Sequence, residues 1–201
     1  MLTRSTIALL AAPIIAAAAP ADGLPLVKAH LAAVNTMTAD FVQTSGAGKS
    51  VSGVLTLKKP GKIRFQYEKG VPILVVADGK SLWFLDYQVG QKQRWPIGNA
   101  PLGVLLDPTK DATRYAKVVA GGDPRLISIE ARDPKHPEYG TITVVFARNG
   151  SAPGGLMLQG WVALDAQNNR TVVRLTNQKF NVAVADNMFR FNEPQRNVRR
   201  N

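Results

Sequence analysis

Residues 55–67 read LTLKKPGKIRFQY, and residues 73–86 read ILVVADGKSLWFLD. In the first stretch Ile63, Phe65 and Tyr67 fall on one side of an extended chain, and Lys62, Arg64 and Gln66 on the other. Such period-two alternation marks a strand with one apolar face and one wet face. Asp78-Gly79, set between two apolar runs, is a strong hairpin signal. Counting back from Lys59 by twos reaches Leu57 and Leu55, so a cation stands at the end of an apolar strand face. Pro60 holds Lys59 extended. An apolar sheet face with a cation at its rim suits a receptor for lipid.

The same pattern recurs along most of the chain. Strands are predicted over 38–44, 50–58, 61–67, 73–77, 81–87 and 91–95. After an interruption they resume over 115–120, 126–132, 140–148, 155–164 and 170–179. Ahead of them Asp22 can cap a short helix that tolerates Pro25 in its first turn. Its expected buried stripe is Leu24, Val27, Leu31 and Val34. Short connections argue for antiparallel meanders over crossover units. So many strands in one domain make a barrel, a sandwich or one strongly curved sheet. Residues 121–124 and 150–155 read as loops, and neither a linker nor an internal repeat divides the chain.

The interruption contains NAPLGVLLDP, residues 99–108, which can form about two helical turns. Pro101 suits the first turn, Asp107-Pro108 ends it, and Leu102, Leu105 and Leu106 project to one side. Helices this short are marginal in water, and Gly103 costs about 1 kcal/mol more than alanine there. The segment therefore persists only while its leucines are packed. It reads as an apolar lid over the sheet, or as a fixed plug in one end of a barrel.

At the N-terminus Arg4, an apolar core from Ile7 to Ala18 and an alanine-rich end follow the plan of a secretory signal peptide. The expected division is a leader over 1–21, cut after Ala21 or alternatively after Ala18, and a single domain over 22–201, with the product exported to the periplasm; a retained anchor or a buried helix is the competing reading. The apolar stretch is shorter than the ~20 residues a membrane-spanning helix needs. The chain has no cysteine, so it carries no disulfide and no lipid-attachment cysteine of its own. Its formal charge is +11, or +10 once Arg4 is removed, with a cluster at Arg196, Arg199 and Arg200. Such a charge steers a protein toward anionic membrane or acidic partners, and an ordinary solvated basic surface accounts for most of it equally well. Nucleic acid is disfavoured, because the chain is exported and has neither a recognition helix nor a stacking-aromatic motif.

Two motif-like stretches carry no chemistry. Gly46-Ala47-Gly48-Lys49-Ser50 imitates the end of a phosphate-binding loop, but the position of its required first glycine is Gln43. Asn149-Gly150-Ser151 and Asn169-Arg170-Thr171 fit the glycosylation pattern but fall where turns are expected. Enzyme chemistry has little to work with. There is no cysteine nucleophile and no G-x-S-x-G elbow. His30 and His136 each lack a second histidine at metal-ligand spacing. Only carboxylates that converge in space stay open as an enzymatic alternative.

One ordered set of short patterns spans nearly all of the exported portion. It runs Ala39-Asp40-Phe41-x-Gln43, then Gly53-x-Leu55-x-Leu57-x-Lys59-Pro60-Gly61, then Ile63-Arg64-Phe65-x-Tyr67. It continues with Val76-x-Asp78-Gly79-x-x-Leu82-Trp83, Pro101-Leu102-x-x-Leu105-Leu106 and Phe189-x-Phe191-x-x-Pro194. In this order the patterns resemble the outer-membrane lipoprotein carrier family, the LolA-type periplasmic chaperones.

The resemblance implies a mainly β fold with short helices: an open, strongly curved antiparallel sheet, an incomplete β-barrel, with a helical lid over its concave face. It implies a monomer that takes triacylated lipoproteins from an inner-membrane ABC-type release complex to an outer-membrane receptor, without a cofactor. A basic residue, usually arginine, locks the family's lid through hydrogen bonds to lid carbonyls. Here the matching residue is Lys59, a point charge instead of a planar five-donor fork, with Lys58 or Arg64 near enough to share the role. The lock competes with a plainer reading, a lysine snorkelling from a strand end into water.

The expected acyl-chain lining is Leu55, Leu57, Ile63, Phe65, Tyr67, Leu74, Val76, Leu82, Phe84, Ile142, Val144 and Phe146. Periodicity assigns these where alternation is strict, but it does not separate an open cavity from a filled interior. Trp83, Trp95 and Trp161 share that ambiguity. The alternatives are a periplasmic lipid or lipoprotein sensor on the same architecture, and a structural β-protein with a packed interior.

Overall fold

The computed structural model describes residues 23–96 and 116–195. Alternation in the sequence becomes eleven strands among these residues, each end within two positions of the expected one. They are β1 (Thr36–Ser45), β2 (Ser50–Lys58), β3 (Lys62–Tyr67), β4 (Ile73–Asp78), β5 (Ser81–Asp86) and β6 (Gln91–Pro96). Then come β7 (Ala116–Val119), β8 (Leu126–Ala131), β9 (Thr141–Arg148), β10 (Leu156–Leu164) and β11 (Arg170–Phe180). The Asp78-Gly79 hairpin forms as expected. Gly79 takes φ +100°, while Asp78 Oδ1 accepts the backbone N–H groups of Lys80 and Ser81, each at 2.8 Å.

All strands belong to one antiparallel sheet, ordered β6-β5-β4-β3-β2-β1-β11-β10-β9-β8-β7. Two meanders, β1–β6 and β7–β11, are thus joined through the β1–β11 pair, and the order leaves β6 and β7 as its two ends. The sheet curls strongly. Phe65 on β3 and Trp161 on β10 lie four strand steps apart, roughly 19 Å on a flat sheet at ~4.8 Å per step. Their ring centroids nevertheless meet edge to face at 5.9 Å. Of the barrel, sandwich and curved-sheet alternatives, the chain adopts the curved sheet.

The concave face holds the main core, built around Met37, Phe41, Leu55, Ile63, Ile127, Ile142, Phe146 and Leu156. Helix α1 (Gly23–Ala33) packs on it beside β7, β8 and β10, against the turn 153–155. Gly154 in that turn has φ +64°, and a Cβ there would meet the backbone N and Cα of His30 at 2.5 Å. Only glycine lets the turn seat against the helix. The buried stripe of α1 differs from the expected one. Val27 and Val34 are buried, but His30 takes the central place, while Leu24 and Leu31 are half-buried.

The convex face of β2–β6 departs further from expectation. Lys62 and Arg64 do not face open water, because the chain beyond β11 lies across them as a strap. Phe189 of the turn Asp186–Phe189 is buried in a second apolar cluster with Leu74, Val76 and Leu85, flanked by Trp83, Val184 and Phe191. Burying side chains of this size stabilises by about 1.5–3 kcal/mol each. Cations fasten the strap's backbone. Lys58 Nζ donates to the Val184 carbonyl at 2.8 Å, and Arg64 Nη1 donates to the carbonyls of Met188 and Arg190 at 3.1 and 3.0 Å. Lys62 pairs with Asp186 at 2.7 Å and Lys92 with Glu193 at 2.6 Å. Strand-face cations satisfy carbonyls that no ladder reaches.

Candidate functional site: a two-ended concave pocket

Curling brings strands from both meanders around one space on the concave face. At the end formed by the close of β1, β3 and β10 and the start of β9 and β11, a pocket of about 300 Å³ opens. Its floor is Phe65, Val75, Leu82, Ile142, Trp161, Ala163, Leu164 and Val173. Its rim is polar, with Gln43, Tyr67, Tyr139, Thr141, Asp165, Asn169 and Thr171. Tyr67 Oη donates to Gln43 Oε1 at 2.9 Å, and burial pushes the phenol up to about 12, so it stays protonated. Asp165 caps the β10–β11 turn, accepting from Asn169 Nδ2 at 2.8 Å and from the backbone N–H of Gln167 and Asn169. The Asn169 hydrogen bonds hold its carboxyl below the usual range.

The opposite end is closed by α1 and the turn 153–155. His30, Leu31, Val34, Met37, Leu57, Lys59, Phe146 and Leu158 leave about 20 Å³ there, room for a single water. Lys59 Nζ is buried in this site with no hydrogen-bond partner among the described residues. Desolvation lowers its ammonium from the ordinary 10.5 to about 8. His30 Nδ1 lies 2.6 Å from the Pro153 carbonyl, which can only accept, so that nitrogen carries the proton. Burial, and to a lesser degree Lys59, lower the imidazole's pKa.

Eight of the twelve expected lining residues lie buried together on the concave face: Leu55, Leu57, Ile63, Phe65, Tyr67, Ile142, Val144 and Phe146. Leu82 packs against them half-buried, and Phe84 shares its face, opposite Val75 in the strand register. Leu74 and Val76 are misplaced by the sequence reading, since both face the strap. The error is one of parity within the continuous run 73–77. A two-residue Gly79-Lys80 turn pairs Ala77 with Leu82 and Val75 with Phe84, and directly paired residues share a face. Choosing Leu82 for the interior therefore selects Val75 and excludes Val76, a signal present in the sequence.

Lys58 and Arg64 also leave the concave side, so neither shares the interior position of Lys59. The expected lid residues Leu102, Leu105 and Leu106, the leader and the cluster at Arg196, Arg199 and Arg200 lie outside the described residues. The three tryptophans separate. Trp161 lines the pocket and Trp95 is 42% exposed, while Trp83 faces the strap and donates its Nε1–H to Asp78 Oδ2 at 3.0 Å. The rim residues were missed, because Gln43, Thr141, Asp165 and Asn169 are ordinary strand-end and turn residues in sequence. Only the curl brings them together.

Gly46–Lys49 form the β1–β2 turn. His136 pairs with Glu138 at 2.8 Å, far in sequence from His30 in the core. Among the described residues no group of three His, Cys, Asp or Glu side chains gathers for a metal, and no helix is long and apolar enough to cross a membrane.

A half-closed antiparallel sheet with an apolar pocket on its concave side defines the class of incomplete β-barrels with a hollow interior. Within it, the chain belongs to the outer membrane lipoprotein carrier protein LolA family, whose pattern matches residues 32–192. It is similar to an outer-membrane lipoprotein carrier protein of Chromobacterium violaceum, 30% identical over 97% of this chain and 93% of that protein. The corresponding protein of Haemophilus influenzae is 30% identical over 89% of this chain and 86% of its own length. A DUF1329 family protein from Desulfovibrio piger superposes with a TM-score of 0.51 at 10% identity, covering 86% of this chain and 98% of that one. That likeness speaks for the fold alone.

Proposed function

We propose that this protein is a periplasmic chaperone that binds the acyl chains of lipoproteins in its concave pocket. It carries them from the inner membrane to the outer membrane, after export by a leader over residues 1–21. The observation that carries this reading is the open apolar pocket of about 300 Å³ in a chain of this family. Keeping acyl chain in water costs ~0.8 kcal/mol per CH₂. Apolar contacts offset that cost without selecting a tight shape, which suits a carrier that must release its cargo.

Binding and release need no covalent step, so the protein acts as a carrier and not as an enzyme. Its cargo is triacylated lipoprotein, received from an inner-membrane ABC-type release complex and surrendered to an outer-membrane receptor. By the family resemblance Lys59, buried beside α1 without a partner among the described residues, is the residue that would donate to carbonyls of the 99–108 segment when no cargo is bound.

Purification from periplasm followed by mass spectrometry of bound material tests both parts. Triacylated lipoproteins retained by the wild type and altered in yield by Lys59→Leu are expected. Lipoproteins indifferent to that substitution would remove the lock and keep the carrier. Free phospholipid alone would favour a lipid sensor on the same fold. An empty protein that excludes apolar dyes would point to a packed structural sheet.

A further inference from the structure

We infer that Asn181, the first residue of the strap, is the positioning residue of Lys59: it clasps the corner between α1 and β1 that holds the lysine's backbone and walls its side chain. This rests on the carrier reading, which gives Lys59 its role, and names the group that keeps the amine in place. Asn181 follows β11 directly and has φ +54°, a left-handed conformation that asparagine tolerates better than most residues. Three hydrogen bonds join it to the corner. Its backbone N–H donates to the Thr36 carbonyl at 2.8 Å, and its Nδ2 donates to the Ala33 carbonyl at 3.0 Å. Its Oδ1 accepts the backbone N–H of Asn35 at 2.8 Å. Ala33 ends α1, where carbonyls lack a partner within the helix, so a side chain 148 positions away serves as the cap.

The corner leads to Lys59 by two routes. The carbonyl of Asn35 accepts the backbone N–H of Lys59 at 2.8 Å, next to the Thr36–Lys58 pair of the β1–β2 ladder. Val34, in the corner itself, lies against the same space of about 20 Å³ as Lys59. Its N–H donates to the carbonyl of His30, another wall of that space and the other titratable group lining it. The corner therefore fixes where the lysine's side chain starts and how closely α1 presses on it. Side-chain chemistry explains the residue. A carboxamide both donates and accepts, so it reaches Ala33 and Asn35 together. A carboxylate would only accept, and glycine would keep the backbone conformation but neither side-chain bond. The bonds of Arg64 to Met188 and Arg190 lie farther along the strap and reach none of the corner residues.

The test follows the Lys59 amine by NMR in the exported chain labelled with ¹³C at lysine Cε, its signal identified by its loss in Lys59→Met. In wild type the titration midpoint is expected at about 8, where burial puts it. In Asn181→Gly it should move back toward the ordinary 10.5, as the corner loosens and water reaches the amine. Arg64→Met, which removes strap bonds beyond the corner, should leave the midpoint in place. Asn181→Ser stands in if the glycine variant does not fold. A wild-type midpoint at 10.5, a midpoint unmoved by the change at Asn181, or an equal movement in Arg64→Met would each overturn the inference. Lipoprotein retention is the second arm. Asn181→Gly should alter the yield in the same direction as Lys59→Leu and add nothing in the Lys59→Leu background, because the two residues act as one unit. No change, or additive effects, would overturn the positioning role. A wild type that retains no lipoprotein would sink the carrier reading, while the amine's titration still decides whether Asn181 positions Lys59.

Discussion

The concave and convex faces of the β4–β5 hairpin are both apolar, yet they are covered in opposite ways. On the convex side Leu74, Val76 and Leu85 meet Phe189 of the strap, and Lys58, Lys62 and Arg64 hold that strap at backbone and carboxylate positions. On the concave side Val75 and Leu82 line a space that stays open, with polar groups confined to its rim. Directional hydrogen bonds fix one register of a permanent partner, whereas non-directional apolar contact accepts a ligand that must leave. One hairpin thus meets a fixed partner on one face and an open pocket on the other.

Removing the strap's anchor should give the largest effect. Phe189→Ala is expected to destabilise the protein by about 3–5 kcal/mol in urea unfolding, with dye affinity per folded molecule unchanged. A cost below about 1 kcal/mol would mean that the strap only rests on the sheet. The two faces can then be compared within one hairpin. Leu74→Ala should cost about 2–4 kcal/mol and spare dye binding. Leu82→Ala, half-buried at the pocket, should cost less stability and weaken binding instead. Equal effects from the pair would erase the distinction between the faces.

Smaller still, Arg64→Met keeps the apolar stem but removes both donors to the strap, for an expected loss of about 1 kcal/mol. Faster proteolysis confined to residues 181–195 would sharpen the assignment, and unchanged cleavage would count against it.

A further effect concerns Lys59 and is read in pH. Its ammonium falls to about 8 in the folded protein from 10.5, so between those values the unfolded chain binds more protons. Its unfavourable contribution is full below pH 8 and is relieved as pH rises toward 10.5. Lys59→Met should therefore melt at a higher temperature than wild type at pH 7, with the difference shrinking by pH 10. Tyr67, raised to about 12, acts in the opposite sense only above pH 10, where the unfolded phenol ionises first. A melting difference that stays constant from pH 7 to 10 would show a solvated amine at position 59.

Much of the fold was legible because alternation is local. The eleven strands, the Asp78-Gly79 hairpin and the helix before β1 follow from period and turn residues, each set within a few residues. Most of the concave lining was legible for the same reason, wherever apolar and polar residues strictly alternate as in Lys62–Tyr67. Parity failed only in the unbroken run Ile73–Ala77, which has apolar side chains on both faces and so leaves the choice of interior to pairing.

The sequence by itself thus determined a β-meander with an apolar face, a cation at one end of it, and a place in a carrier family. Tertiary structure alone decided what covers each face. His30 is buried because Gly154 lets a distant turn approach α1, and Lys62 and Arg64 lose the water face to a strap more than a hundred residues away. The pocket's polar rim likewise exists only because the sheet curls the ends of β1, β3, β9, β10 and β11 together. Local patterning fixes which side of a strand is apolar. Which partner satisfies that side depends on long-range closure, which no window of sequence contains.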